Sequence, residues 1–307
     1  MALIRKSDLY RIAAIAWGIV VFGFIILTIS GNAQPFLSPE ALPIDGPLQM
    51  IGVAVALIAL GVFVILQLET RSWIKAGKEA GLSPNGAGIA KPALARNSAL
   101  WSILPVGLEI MSKPDLVGTV DGREVRARTV ARNVGGDGES GSNTARFTVV
   151  ETDLVESTDR GLIVTAGSPP TTGMEDVPAD LSNQMKTVGD IAVLGESERF
   201  AREAVTPRVQ NALAETDTLE GVHAGKSADV FLETIKDSGG LAGSLVGAIE
   251  TEFRERIPGG PETVGTDRKG VILDGADLEA RARAVAAVAD GFEKASEAVS
   301  DDQSFRS

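Results

Sequence analysis

The chain of 307 residues carries 29 Lys and Arg against 41 Asp and Glu, a formal net charge of −12. A charge of that sign does not suit a nucleic-acid binder, whose affinity rests on cations that displace phosphate counterions. The sequence has no cysteine, which rules out disulfides and thiolate metal sites.

Residues 1–11 hold Arg5, Lys6 and Arg11 and precede an apolar run at 12–30; a second run occupies 48–68. Neither interior bears a charge, and about twenty such residues suffice to cross a bilayer as helix, which satisfies its own backbone groups. The connecting residues 31–47 contain only Glu40 and Asp45 as charges, whereas Arg71, Lys75 and Lys78 follow the second run. Basic flanks stay on the cytoplasmic side. The expectation is a multi-pass protein of the cell membrane with both termini cytoplasmic and 31–47 outside. Trp73 stands where an interfacial aromatic anchor belongs. A rival reading makes the first run a signal peptide cleaved near residues 31–33, but its apolar stretch exceeds the usual signal core. Small-residue spacings (Ala14 with Gly18, Gly52 with Ala56) suit two helices that pack on each other as a plain anchor.

Residues 69–92 begin as a basic helical extension and dissolve at Gly81 and Pro84 into a juxtamembrane linker. The remainder, residues 93–299, reads as a cytoplasmic α+β domain with a mostly antiparallel sheet and a long C-terminal helix, followed by a frayed tail at 300–307. Its charge is distinctive. Six Lys and Arg and five Asp and Glu fall in residues 1–81, leaving 23 against 36 beyond, a net of −13. Lysines number ten against nineteen arginines, and aromatics make up 5%. Such an acidic, Lys-poor profile is that of proteins in molar salt, where self-repulsion is screened.

Within the domain, Ala99–Met111 is too short to span and reads as a core helix or a helix lying on the membrane surface. From Leu116 the pattern turns to period two. Strands at 116–120 and 124–132 flank Asp121-Gly122, a strong hairpin signal. Further strands are expected at 145–154 and 161–166; because no helix intervenes, the sheet is antiparallel. A short strand at 191–194 leads to helices capped by Ser197 and by Thr206-Pro207. Residues 221–224 and 228–235 read as a hairpin, 244–256 as a helix and 264–273 as a last strand. The helix from about 276 to 299 sets Leu278, Ala282, Val285, Ala289, Phe292 and Val299 on one stripe.

Chemistry-bearing motifs are sparse. Gly136-Asp137-Gly138-Glu139-Ser140-Gly141 matches the dinucleotide fingerprint in letters, but a strand follows it where a helix N-terminus is needed. His223 is the sole histidine. It has no nucleophile elbow and no second imidazole, and reads as a turn or sheet-edge residue. Asp274 and Asp277 read as caps of the last helix. No catalytic residue, cofactor or metal is expected. The arginine strand is less bland. Alternation places Arg126, Arg128 and Arg132 on one face, opposite Val125, Ala127, Thr129 and Ala131. That face is either solvated or a contact for anionic headgroups or an acidic protein partner. Replacing all three by serine is expected to weaken such a contact while leaving the fold intact.

The runs Leu116–Val125, Phe147–Glu151 and Phe200–Val209 resemble a group of uncharacterised membrane-anchored proteins of halophilic archaea. The resemblance implies two N-terminal spans and an α+β cytoplasmic domain, and it brings no activity or site residues. The expected function is a non-enzymatic, membrane-tethered binding or scaffold domain. A structural subunit of a membrane assembly is the alternative, and an enzyme of unrecognised type the more distant one.

Overall fold

The computed structural model describes residues 12, 16–19, 23, 47–85, 113–133, 144–166, 186–188, 190–195, 197–216, 221–238 and 260–304. Expectations for 99–111, 136–141 and 244–256 lie outside these residues. The chain divides into two compact units, residues 1–73 with 92–111 and residues 74–91 with 112–307.

In the first unit, residues 12, 16–19 and 23 are helical, and helix α1 begins at Pro47 and runs without a break to Glu79. The Trp17 indole donates to the Leu57 carbonyl at 3.2 Å. Its ring sits where a Cβ at residue 61 would be, so Gly61 permits the approach, while Gly18 meets nothing within 4 Å. The close-packing glycine is therefore not among those singled out by spacing alone. Among the described residues no helix is long and apolar enough to cross a membrane. Many side chains between residues 47 and 62 fall outside that set, so the apolar run 48–68 is carried by its sequence.

Among the described residues the second unit is built on a nine-stranded sheet in which every pairing is antiparallel. Its strands are β1 (Ser83–Pro84), β2 (Leu116–Val120), β3 (Arg123–Asn133), β4 (Thr144–Asp153), β5 (Gly161–Ala166), β6 (Lys186–Val188), β7 (Ile191–Gly195), β8 (Val222–Gly225) and β9 (Thr263–Lys269). They lie in the order β1-β2-β3-β4-β9-β8-β5-β7-β6. The β2–β3 hairpin turns at Asp121 and Gly122 with φ of 54° and 89°, the pair of left-handed residues that a two-residue turn requires.

Helices α2 (Glu198–Ala204) and α3 (Pro207–Ala214) start at the expected caps: Ser197 Oγ accepts from Phe200 N, and Thr206 Oγ1 from Val209 N. Residues 228–235, expected as a hairpin strand, belong instead to helix α4 (Ser227–Ser238). The alternation there was too short to separate a strand from one helical face, and Phe231 and Leu232 are buried as adjacent residues of a helix.

Helix α5 (Gly275–Ser304) covers one face of the sheet. Val125, Ala127, Val150, Val264 and Thr266 line that face and are fully buried. Arg123 and Arg268, which share it by alternation, reach the α5 acids Asp290, Glu293 and Asp277. The expected apolar stripe holds at Leu278, Ala282, Val285, Ala289 and Phe292, but residues 284–289 are buried all round. The reason is that α2 and α3 pack along α5 while also touching strands β7 and β5. There the Phe200 and Phe292 rings meet edge to face at 5.4 Å, and Gly291 lies against the Ala204 carbonyl. Of the two expected caps, Asp274 Oδ1 accepts from Ala276 N and Asp277 N, whereas the Asp277 carboxylate holds Arg268 and Arg281.

The helical extension expected from 69 is present to Glu79, and only the linker expected beyond it differs in kind, as far as residue 85. Helix α1 ends in a Schellman motif: Leu82 N donates to Gly77 O, Gly81 N donates to Lys78 O, and Gly81 takes φ of 76°. Ala76, Ala80 and Leu82 are buried, and Ser83 and Pro84 pair with Val117 and Leu116. Gly81 and Pro84, read as breakers, are a helix C-cap and an edge-strand residue whose missing N–H costs nothing. Trp73, expected to be displayed as an anchor, is fully buried on the same helical stripe as Leu66, Ala76 and Ala80.

Candidate functional site

Arg126, Arg128 and Arg132 lie on β3 and share the sheet face turned away from α5, as alternation requires. Register decides their surroundings. Arg126 stands directly across from Glu151 of β4, and Arg128 across from Val149, which in turn faces Asp267 of β9. Arg128 Nη2 donates to Glu151 Oε2 at 3.1 Å, its Nε lies 3.1 Å from Oε1 without making a hydrogen bond, and Arg126 Nη1 lies 3.9 Å from the same carboxylate. Arg132 reaches diagonally to Asp267 and lays its guanidinium over the Phe147 ring, 5.2 Å from the centroid.

The three arginines are thus not one uniform row. Arg126 and Arg128 are 41% and 43% exposed at the side chain and share a single carboxylate, while Arg132 is 17% exposed and fully paired. Glu124, exposed and on the same face by alternation, dilutes the positive charge at the hairpin end. What remains is a local excess of one guanidinium at Arg126–Arg128. A planar guanidinium with free N–H groups binds a carboxylate or a phosphate oxygen from a partner. The acids Glu151 and Asp267 were not foreseen as members of this site, because cross-strand neighbours 23 and 135 residues apart leave no spacing signal in a sequence.

His223 is on β8, flanked on both sides by β9 and β5, and so is an interior rather than an edge residue. It is buried, and its Nδ1 has no hydrogen-bond partner among the described residues. Burial, and secondarily the Arg132 charge, lower its pKa to about 4, so it is a neutral imidazole at neutral pH. Burial likewise pushes the Asp267 carboxyl up, against the opposing pull of Arg132. Among the described residues no group of three His, Asp or Glu side chains is placed to hold a metal ion.

No family model and no curated protein matches the chain. Among solved structures it is similar to the crystal structure of the mycobacterial trehalose monomycolate transport factor A, TtfA. That likeness has 13% identity, covers 73% of this chain and 93% of the other, and has a TM-score of 0.35. At that level nothing about function follows from it.

Proposed function

We propose that the chain is a membrane-tethered binding or scaffold protein without catalytic chemistry. Two N-terminal helices anchor it, and a cytoplasmic α+β domain presents the Arg126–Arg128 face to an acidic protein partner. One observation carries the tether. Among the described residues the large exposed apolar side chains are Ile12, Trp17, Ile19, Leu60, Phe63, Val64 and Leu68, with Val155 the single exception outside the two runs. Apolar surface gathered in that way is stable only against lipid or another protein. The basic flanks favour lipid, with both termini inside. The face itself is supported by the shared Glu151 carboxylate, which leaves guanidinium capacity for a second acid.

Because the chain has no cysteine, single cysteines report both halves of this reading. In intact cells an impermeant maleimide should label Ser38→Cys and spare Ser238→Cys; labelling at residue 238 would overturn the topology. A photo-cross-linker on Thr119→Cys, an exposed position beside the arginines on β2, should capture one protein in stoichiometric yield. That capture should be lost in Arg126→Ser/Arg128→Ser. Capture that is unchanged in the double variant would reduce the face to a solvated surface. Retention of the chain in a multi-subunit particle when the face is neutralised would favour the structural-subunit alternative.

A further inference from the structure

A second surface lies away from the arginine face, where the β4–β5 connection meets the C-terminal half of α5. A groove of about 660 Å³ opens there, floored by Leu154 and Phe292 and edged by Glu156, Glu293 and Glu297. Val155 stands at its rim with 81% exposure, the one large apolar side chain so displayed outside the N-terminal runs among the described residues.

The display is held in place. Val155 N donates to Glu293 Oε1 at 2.8 Å, Leu154 N to the Glu262 carbonyl at 2.7 Å, and Thr158 N to the Pro261 carbonyl at 2.8 Å. Beyond them Lys226 N donates to the Arg160 carbonyl at 2.8 Å. A valine fixed outward by its neighbours' backbone bonds presents its apolar area without an ordering cost on association.

Charge around the groove is one-sided. Glu293 is engaged by Arg123, and Asp159 by Lys226. Glu156 and Glu297 line the groove and form no ion pair among the described residues. Arg160, the basic lining residue near the floor, turns its guanidinium over the Phe200 ring at 5.5 Å.

We propose that this groove docks a cationic, amphipathic segment of a partner protein. Its apolar residue packs on Val155, and its flanking Lys or Arg side chains reach Glu156 and Glu297. Complementary charge orients such a segment, and the apolar contact persists when salt weakens the charges. The proposal does not depend on the arginine face, which is of opposite sign and served by other strands.

The test uses the full chain in lipid nanodiscs with Val155→Cys as the only thiol, and Asn211→Cys, at an exposed position of α3, as the control. Two labelled decapeptides serve as probes, one alternating Lys and Leu, the other Glu and Leu. The Lys–Leu probe should slow maleimide labelling of residue 155 at least fivefold while leaving residue 211 unchanged, and the Glu–Leu probe should do neither. In the otherwise native chain, Glu156→Lys with Glu297→Lys should weaken Lys–Leu binding at least tenfold, and the milder Gln pair should weaken it in the same direction. Equal protection at residues 155 and 211, or binding indifferent to both pairs, overturns the proposal. So does protection of residue 155 by calcium alone. Concentration-dependent protection without any probe would mean that a second copy of the chain covers the groove, and overturns it as well.

Discussion

Arg132 and Asp267 form an ion pair mostly withdrawn from water, so removing one partner strands the other's charge. Arg132→Ser should therefore cost about 3 kcal/mol in urea unfolding, whereas Arg126→Ser, half exposed, should cost no more than about 1 kcal/mol. In the triple serine replacement, Arg132 should therefore carry most of the cost to the fold. Equal costs at the two positions would show that Arg132 is no more than a surface residue. His223 adds a pH signature. Its pKa is near 6.5 unfolded and about 4 folded, because burial penalises the imidazolium. Below pH 6.5 the unfolded chain takes up the proton first, so stability present above that value is lost as pH falls toward 4. The full loss is about 3 kcal/mol. His223→Leu should flatten the slope between pH 6.5 and 5, where carboxylates contribute least; unchanged slopes would contradict the assignment.

Between elements, the tightest seam is that of α5 with α2. Gly291 leaves no room for a Cβ, because the Ala204 carbonyl occupies that position. Gly291→Ala should raise the intrinsic helix propensity and yet destabilise the domain by about 2 kcal/mol, since the backbones must separate. Denaturation that shows stabilisation instead would mean that the seam relaxes freely. The seam also explains why α5 exceeds its expected stripe. A helix that carries Ala at 284, 286, 287 and 289 can be buried on all sides, but only the helices packed beside it on the sheet make it so. The same limit applies at α4, where one face of a short helix and one face of a strand read alike.

At the scale of the whole molecule, the last turns of α1 are part of the sheet unit. Gly77 lies against Leu116, and Gly118 against the Gly81 carbonyl, with a Cβ at either glycine only 2.5 Å from its neighbour. A chain beginning at residue 93 loses Ala76, Ala80 and Leu82 from the core and β1 from the sheet. It should melt well below a chain beginning at residue 74; coincident melting temperatures would show that residues 74–85 are dispensable. Charge acts at this scale too. With −13 spread beyond residue 81, the chain beginning at 74 should melt higher in molar KCl, where the Debye length is about 3 Å, than in dilute buffer. Salt-independent melting would remove the halophilic reading.

What the residues disclosed by themselves was local. Asp121-Gly122 imposed its turn through backbone sterics, Ser197 and Thr206-Pro207 started their helices through side-chain caps, and runs of period two made an antiparallel sheet, all within a few residues of chain. The alternation that sets Arg126, Arg128 and Arg132 on one face is likewise local. Tertiary structure alone decided the rest. It brought Glu151 and Asp267 to those arginines, enclosed His223 between interior strands, buried Trp73, and turned the breakers after α1 into a cap and an edge strand. Each of these depends on strand register or on a second packed layer. A pairing between residues a hundred positions apart leaves no period in the sequence, because the energy that selects it comes from burial of the whole sheet and not from any neighbour along the chain.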